Sequence, residues 1–138
     1  MVAACANTTV LKTLAPKSLS CSSPSKGRWK KRPQGHCGYC LPCLIRRASL
    51  AKGDITTYGV PDLRAKALDT TQAEGVQARS FQLAIERLKA RPELAHLLIH
   101  KPGPLSDDPS RLADLAGVYR RGLEEVGELL RGVKTVPG

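Results

Sequence analysis

No acidic residue occurs in the first 53 positions of this 138-residue chain. Lys12, Lys17, Lys26, Arg28, Lys30, Lys31, Arg32, Arg46, Arg47 and Lys52 stand there unopposed. From Asp54 onward twelve basic and twelve acidic side chains cancel, so the whole net charge of +10 belongs to the first part. So sharp an asymmetry points to a polyanionic or nucleotide partner. Aromatic residues are scarce, with one Phe, one Trp and three Tyr, so any core must be built from Leu, Val, Ile and Ala. No apolar run approaches the roughly 20 residues of a membrane-spanning helix. Met1 to Asn7 offers neither a basic n-region nor a continuous apolar stretch, which argues against a secretory signal. The N-terminal stretch as far as residue 27 is acid-free and Ser/Thr-rich, which has something of a transit peptide, yet no Arg precedes Arg28. The expectation is a cytoplasmic chain with reduced cysteines and no membrane contact.

Catalytic signatures are missing as well. There is no G-x-x-x-x-G-K-[ST] loop, no G-x-G-x-x-G turn and no G-x-S-x-G elbow. His96 and His100 are spaced to share a helix face, but no glutamate lies between them and no third ligand is near, so they read as ordinary boundary histidines. Asp107 and Asp108 read as a helix cap rather than a carboxylate pair. No self-sufficient active site emerges.

What is present is a cysteine cluster. Cys21, Cys37, Cys40 and Cys43 are spaced C-x15-C-x2-C-x2-C. Three thiols in seven residues are a poor way to fill a core and are cramped for disulfides, but two-residue spacers turn successive sulfurs onto one centre. The chemistry favours one structural zinc held by four thiolates at about 2.3 Å. An iron-sulfur cluster is the rival, since bacterial ferredoxins also use C-x2-C-x2-C runs; their fourth cysteine follows close behind, whereas here none lies downstream of Cys43. His36 could replace Cys21 as fourth ligand at the expense of loop strain, and Cys5 reads as a free thiol outside the set. Gly35 and Gly38 suit a tight loop, Pro42 suits the first turn of a helix, and Arg46 and Arg47 can offset the roughly −2 charge of a zinc tetrathiolate. The stretch Lys26, Arg28, Trp29, Lys30, Lys31, Arg32 places cations around one stackable indole. With Arg46 and Arg47 it is the candidate contact for phosphate or nucleic acid, to be weighed against a plain solvated loop.

The pattern predicts a mainly α fold, with a basic four-cysteine zinc-binding segment over residues 1–53, its knuckle and helix at about 37–53, followed by a helical region over 54–138. Residues 1–20 carry little periodic signal. A helix follows the knuckle and ends near Gly53, residues 54–61 read as extended, and the remainder reads as helical. Phe81, Ala84, Ile85 and Leu88 mark a helix that begins in the seventies. Pro92 interrupts it before a short helix carrying Leu94, Leu97 and Leu98, and Lys101-Pro102-Gly103-Pro104 stops that one. Asp108 then caps a last helix over about 109–131, with Pro109 at its first position and Leu112, Leu115, Ala116, Tyr119, Leu123, Val126 and Leu130 on one face. Gly117, Gly122 and Gly127 weaken it by about 1 kcal/mol each, so it is expected to need a packing surface, part of which belongs to a partner.

The segment Ser18-Leu19-Ser20-Cys21-Ser22, with Gly35-His36-Cys37-Gly38-Tyr39-Cys40-Leu41-Pro42-Cys43-Leu44-Ile45-Arg46-Arg47, resembles the C-terminal zinc-binding part of 7-cyano-7-deazaguanine synthases. In that family a cysteine after a Ser/Thr-rich turn joins a C-G-x-C-x-x-C-x-x-R loop around a structural zinc. The wording from Cys40 to Arg47, with Gly103-Pro104-Leu105 and Val118-Tyr119-Arg120-Arg121-Gly122, resembles the homologues in Qat anti-phage defence cassettes. The resemblance implies Cys21, Cys37, Cys40 and Cys43 as zinc ligands. It also implies an α/β ATP-pyrophosphatase domain with an S-G-G-x-D-S loop, which this chain lacks. The expectation is therefore a C-terminal fragment that does not turn a 7-deazaguanine into its nitrile alone. It would use ATP only when an N-terminal domain or partner subunit supplies the site. The rival expectation is a standalone basic zinc module that binds nucleic acid.

Overall fold

The longest helix of the fold starts where side-chain chemistry dictates. Asp108 accepts hydrogen bonds from the Ser110 N–H at 2.9 Å and the Ser110 hydroxyl at 2.8 Å, and Pro109 opens the first turn. In the computed structural model, which describes residues 8–25, 35–101, 103, 105 and 108–138, five α-helices and two short strands follow in order, besides two 3₁₀ turns. They are α1 (Thr8–Leu14), α2 (Leu41–Leu50), β1 (Leu68–Asp69), α3 (Ala73–Ala90), α4 (Leu94–Leu98), α5 (Pro109–Leu130) and β2 (Thr135–Val136). The fold is mainly helical with little strand.

Helix α5 is the spine, against which α2, α3 and α4 all pack. Its periodic face buries Ala116, Leu123, Val126 and Leu130. The lower half of that face joins Leu44 of α2, Leu63, Leu68, Ala78 and Val133 in one cluster. The upper half joins Leu88, Ala95 and Ile99 in a second, and Phe81 and Ile85 of α3 bridge the two. The change in charge composition at residue 53 is therefore not a break in the core: Leu44, fully buried, comes from the basic part and shares its cluster with Val126. Arg64 secures the far end of α5, donating from Nε to the Arg131 carbonyl at 2.9 Å and from Nη2 to the Leu129 carbonyl at 2.8 Å. Those carbonyls have no helical partner of their own, and a cation suits the negative end of the helix dipole.

Two features correct the sequence reading. A short helix, α1, and the 3₁₀ turn Ala15–Lys17 occupy a segment that showed little periodicity. The region after Pro61, read as helical throughout, contains a parallel pair in which Leu68 faces Thr135 and Asp69 faces Val136. The Leu68 N–H reaches the Lys134 carbonyl at 2.8 Å and the Thr70 N–H the Val136 carbonyl at 2.9 Å. Gln82 of α3 braces this pair, donating from Nε2 to the Val133 carbonyl and accepting from the Thr135 hydroxyl.

The first turn of α3 presses on this strand pair. A Cβ on Gly75 would come within 1.9 Å of the Asp69 carbonyl oxygen, whereas a Cβ on Gly127 of α5 would meet only Ile85 Cδ1 at 3.6 Å, an ordinary contact. Urea unfolding is expected to show Gly75→Ala destabilised by about 1–3 kcal/mol through overpacking. Gly127→Ala is expected to be stabilised by up to about 1 kcal/mol through helix propensity. Equal behaviour of the two variants would contradict this packing.

Candidate metal centre

Two separate pieces of chain build the site. The first is the loop before α2. Gly38 takes a φ of +91° and its missing side chain lets the Val60 carbonyl approach to 2.7 Å of where a Cβ would be, so a larger residue is excluded on both counts. Cys40 is the N-cap of α2, with Pro42 in the first turn, and Cys43 sits one turn in. Residues 58–60 run beside the loop: the Gly59 N–H reaches the His36 carbonyl at 2.8 Å and the Val60 N–H the Cys37 carbonyl at 2.9 Å. The second piece is the segment after α1, which delivers Cys21.

The four sulfurs converge. All four Sγ atoms lie within 4.8 Å of one another, with Cys37 to Cys43 and Cys40 to Cys21 both at 3.9 Å. A disulfide needs about 2.05 Å, so these are free thiols. Four sulfurs placed tetrahedrally at about 2.3 Å from one ion are about 3.8 Å apart, close to the shorter separations seen. Cys43 is fully buried and Cys21 and Cys40 nearly so, while Cys37 is partly exposed. The group can hold a metal ion.

Burial pushes the Cys43 and Cys37 thiols up. Burial also acts to raise Cys40, but hydrogen bonds from the Ser22 side chain and backbone outweigh it, helped by the Cys43 N–H, and hold that thiol down at about 6. The Cys40 N–H in turn reaches Cys37 Sγ at 3.4 Å. These donors, set at a helix N-terminus, favour thiolate over thiol. The His36 ring sits at the rim, with Nδ1 3.8 Å from Cys43 Sγ and Nε2 3.2 Å from the Ser18 carbonyl. His36 therefore lies beside the four sulfurs, not in place of Cys21.

Arg46 and Arg47 point inward. Arg46, nearly buried, donates from Nε to the Thr56 hydroxyl at 3.1 Å, from Nη1 to the Ser18 hydroxyl at 2.7 Å, and from Nη2 to the Ala15 carbonyl. Arg47 donates to the carbonyls of Gly38 (3.1 Å), Val60 (2.9 Å) and Pro61 (2.6 Å), and its guanidinium lies 4.7 Å from the Tyr58 ring centroid. A phosphate would have to displace these acceptors. Lys26, Arg28, Trp29, Lys30, Lys31 and Arg32 lie outside the described residues, as does Cys5. Sequence reasoning missed Asp54 and Tyr58: the Tyr58 hydroxyl donates to Asp54 Oδ2 at 2.6 Å, and the Thr56 N–H donates to Asp54 Oδ1 at 2.9 Å. Only an Asx-type spacing, D-x-T, could have hinted at the second bond.

His96 is exposed, with Nε2 3.3 Å from Arg120 Nη2, His100 is exposed too, and neither belongs to the cysteine group. No helix among the described residues is long and apolar enough to cross a membrane. Compared with known proteins, the chain matches no family model, no curated protein and no solved structure.

Burial works against the Asp54 carboxylate, but hydrogen bonds from Thr56 and Tyr58, with the Arg46 charge, outweigh it and hold the group below its ordinary value. A depressed folded value means the stabilisation is complete above the unfolded carboxylate range near pH 4 and is lost as pH falls through the lowered value. Asp54→Asn is expected to flatten the acid limb of a stability-against-pH curve and to leave its shape between about pH 5 and pH 8 unchanged. An unchanged acid limb would show that the carboxylate has no such role.

Proposed function

We propose that this chain is a zinc-binding protein in which one structural zinc, held by Cys21, Cys37, Cys40 and Cys43, staples the N-terminal segment to helix α2. The observation that carries this reading is the convergence of four thiols from two segments within 4.8 Å. A four-iron cluster assigns its cysteines to different metal atoms, so its ligands must spread by the metal–metal separation, whereas a single tetrahedral ion calls for the short spacing found here. Reduced thiols also belong to a reducing compartment, so the reading implies the cytoplasm.

In the wider setting, the reading is that of the zinc-binding C-terminal part of a 7-cyano-7-deazaguanine synthase-like protein, or of a relative with an anti-phage role. The nucleotide site would be supplied by another domain or subunit, and the chain is not catalytic alone. What supports it is the pairing of an upstream Ser-rich Cys21 segment with the C-G-x-C-x-x-C-x-x-R loop around one centre. Nucleic-acid binding is the second reading, supported by the concentration of the +10 charge in the first 53 residues.

Metal analysis of protein purified without added metal is expected to find one zinc per chain. A strong chelator is expected to remove it with loss of thermal stability, because the four ligands converge only in the folded chain, which couples binding to folding. Cys43→Ser is expected to lose zinc altogether. A preparation with iron and sulfide, or a metal-free chain with unaltered melting, contradicts the zinc reading. For the wider setting, the coding DNA on either side of this chain is expected to encode an S-G-G-x-D-S loop in frame, one frameshift away or in an adjoining gene. A genomic context without one counts against a synthase-like protein.

A further inference from the structure

Cys21 stands apart from the other three sulfurs in the sequence, and two groups hold the backbone that carries it. Arg46, on the turn of α2 after Cys43, binds the Ser18 hydroxyl at 2.7 Å and the Ala15 carbonyl. The Ser18 hydroxyl itself donates to the same Ala15 carbonyl at 2.9 Å, and the Ser18 carbonyl lies 3.2 Å from His36 Nε2. The third Arg46 donor, Nε, ties this node to Thr56 in the strap that runs beside the cysteine loop. A buried guanidinium with its donors aimed at three acceptors from two distant segments is held by a rigid fork, and removing it strands those acceptors.

We infer that Arg46 is the positioning residue for the fourth metal ligand. It clamps residues 15–18 onto α2 so that Cys21 meets the three thiolates of the loop. Docking of the N-terminal segment and completion of the metal centre are then one equilibrium. Without the clamp, Cys37, Cys40 and Cys43 still present a three-thiolate site on the rigid loop and helix, and water or another small ligand takes the fourth position. The inference rests on the zinc reading above and adds the chain's own device for assembling that centre.

The test uses Co²⁺, whose charge-transfer absorbance grows with the number of bound thiolates, in the full chain and in Arg46→Met, Arg46→Lys, Ser18→Ala and Cys21→Ser. Wild type is expected to give a four-thiolate spectrum, and Cys21→Ser the three-thiolate reference. Arg46→Met is expected to match that reference, to expose Cys21 to alkylation with metal bound, and to bind zinc about 10–100-fold more weakly, the usual loss for an outer-shell partner. Arg46→Lys is expected to recover part of the four-thiolate signal, and Ser18→Ala to shift in the same direction by less. Should Arg46→Met fail to fold, Ser18→Ala decides: a wild-type spectrum and affinity there overturn the inference. A four-thiolate spectrum in folded Arg46→Met, even with lowered stability, also overturns it, since a merely structural arginine would behave so. Wild type that binds no Co²⁺ removes the metal reading itself, a different outcome from either.

Discussion

Four thiols gathered within 4.8 Å repel as thiolates and, as buried thiols, offer weak hydrogen bonding in return for the backbone order they require. A divalent cation reverses that balance, converting mutual repulsion into four bonds to one centre. Much of the basic half of the fold is arranged around this condition. Gly38 permits the turn, residues 58–60 line the loop by backbone bonds, Arg47 fastens loop and strap through three carbonyls, and Arg46 reaches back to the segment that bears Cys21. Both arginines spend their donors on oxygen acceptors of the loop, the strap and the N-terminal segment, and so hold the cysteine-bearing backbone in shape.

The helical half rests on a different force. Its apolar clusters along α5 bury aliphatic side chains almost exclusively, as the scarcity of aromatics requires. The two halves meet at α2, whose first turn carries Cys40 and Cys43 and whose Leu44 is buried against the face of α5. The cysteine cluster that can hold a metal and the hydrophobic core therefore meet on adjacent residues of one helix.

The legible parts of this chain were those where local chemistry fixes local geometry. The C-x2-C-x2-C run dictates convergence through its spacing, and Asp108-Pro109 with the periodic leucines dictates α5. Pro92 separates α3 from α4 because it pushes the residue just before it, Arg91, out of the helical conformation, to φ −142° and ψ 80°. Less legible were elements defined by distant partners. Strands of two residues show no alternation, so β1 and β2 exist only through backbone pairing of Leu68 with Thr135, far apart in sequence. Helix α1 leaves Val10 and Leu14 exposed, so these two apolar residues trace no buried face in the sequence. The arginines illustrate the same limit: a cation next to a metal loop suggests an outward phosphate contact, but the carbonyls of Gly38, Val60 and Pro61 needed donors and Arg47 turned inward to supply them.

On the zinc reading, one ion with four sulfur ligands joins Cys21 to the loop of Cys37, Cys40 and Cys43. X-ray absorption at the zinc edge of the purified full chain decides it. A single shell of four sulfurs at about 2.3 Å with no neighbouring metal atom is expected. A shell containing nitrogen or oxygen in place of one sulfur, or the absence of zinc with iron and a metal–metal scattering path instead, would contradict it.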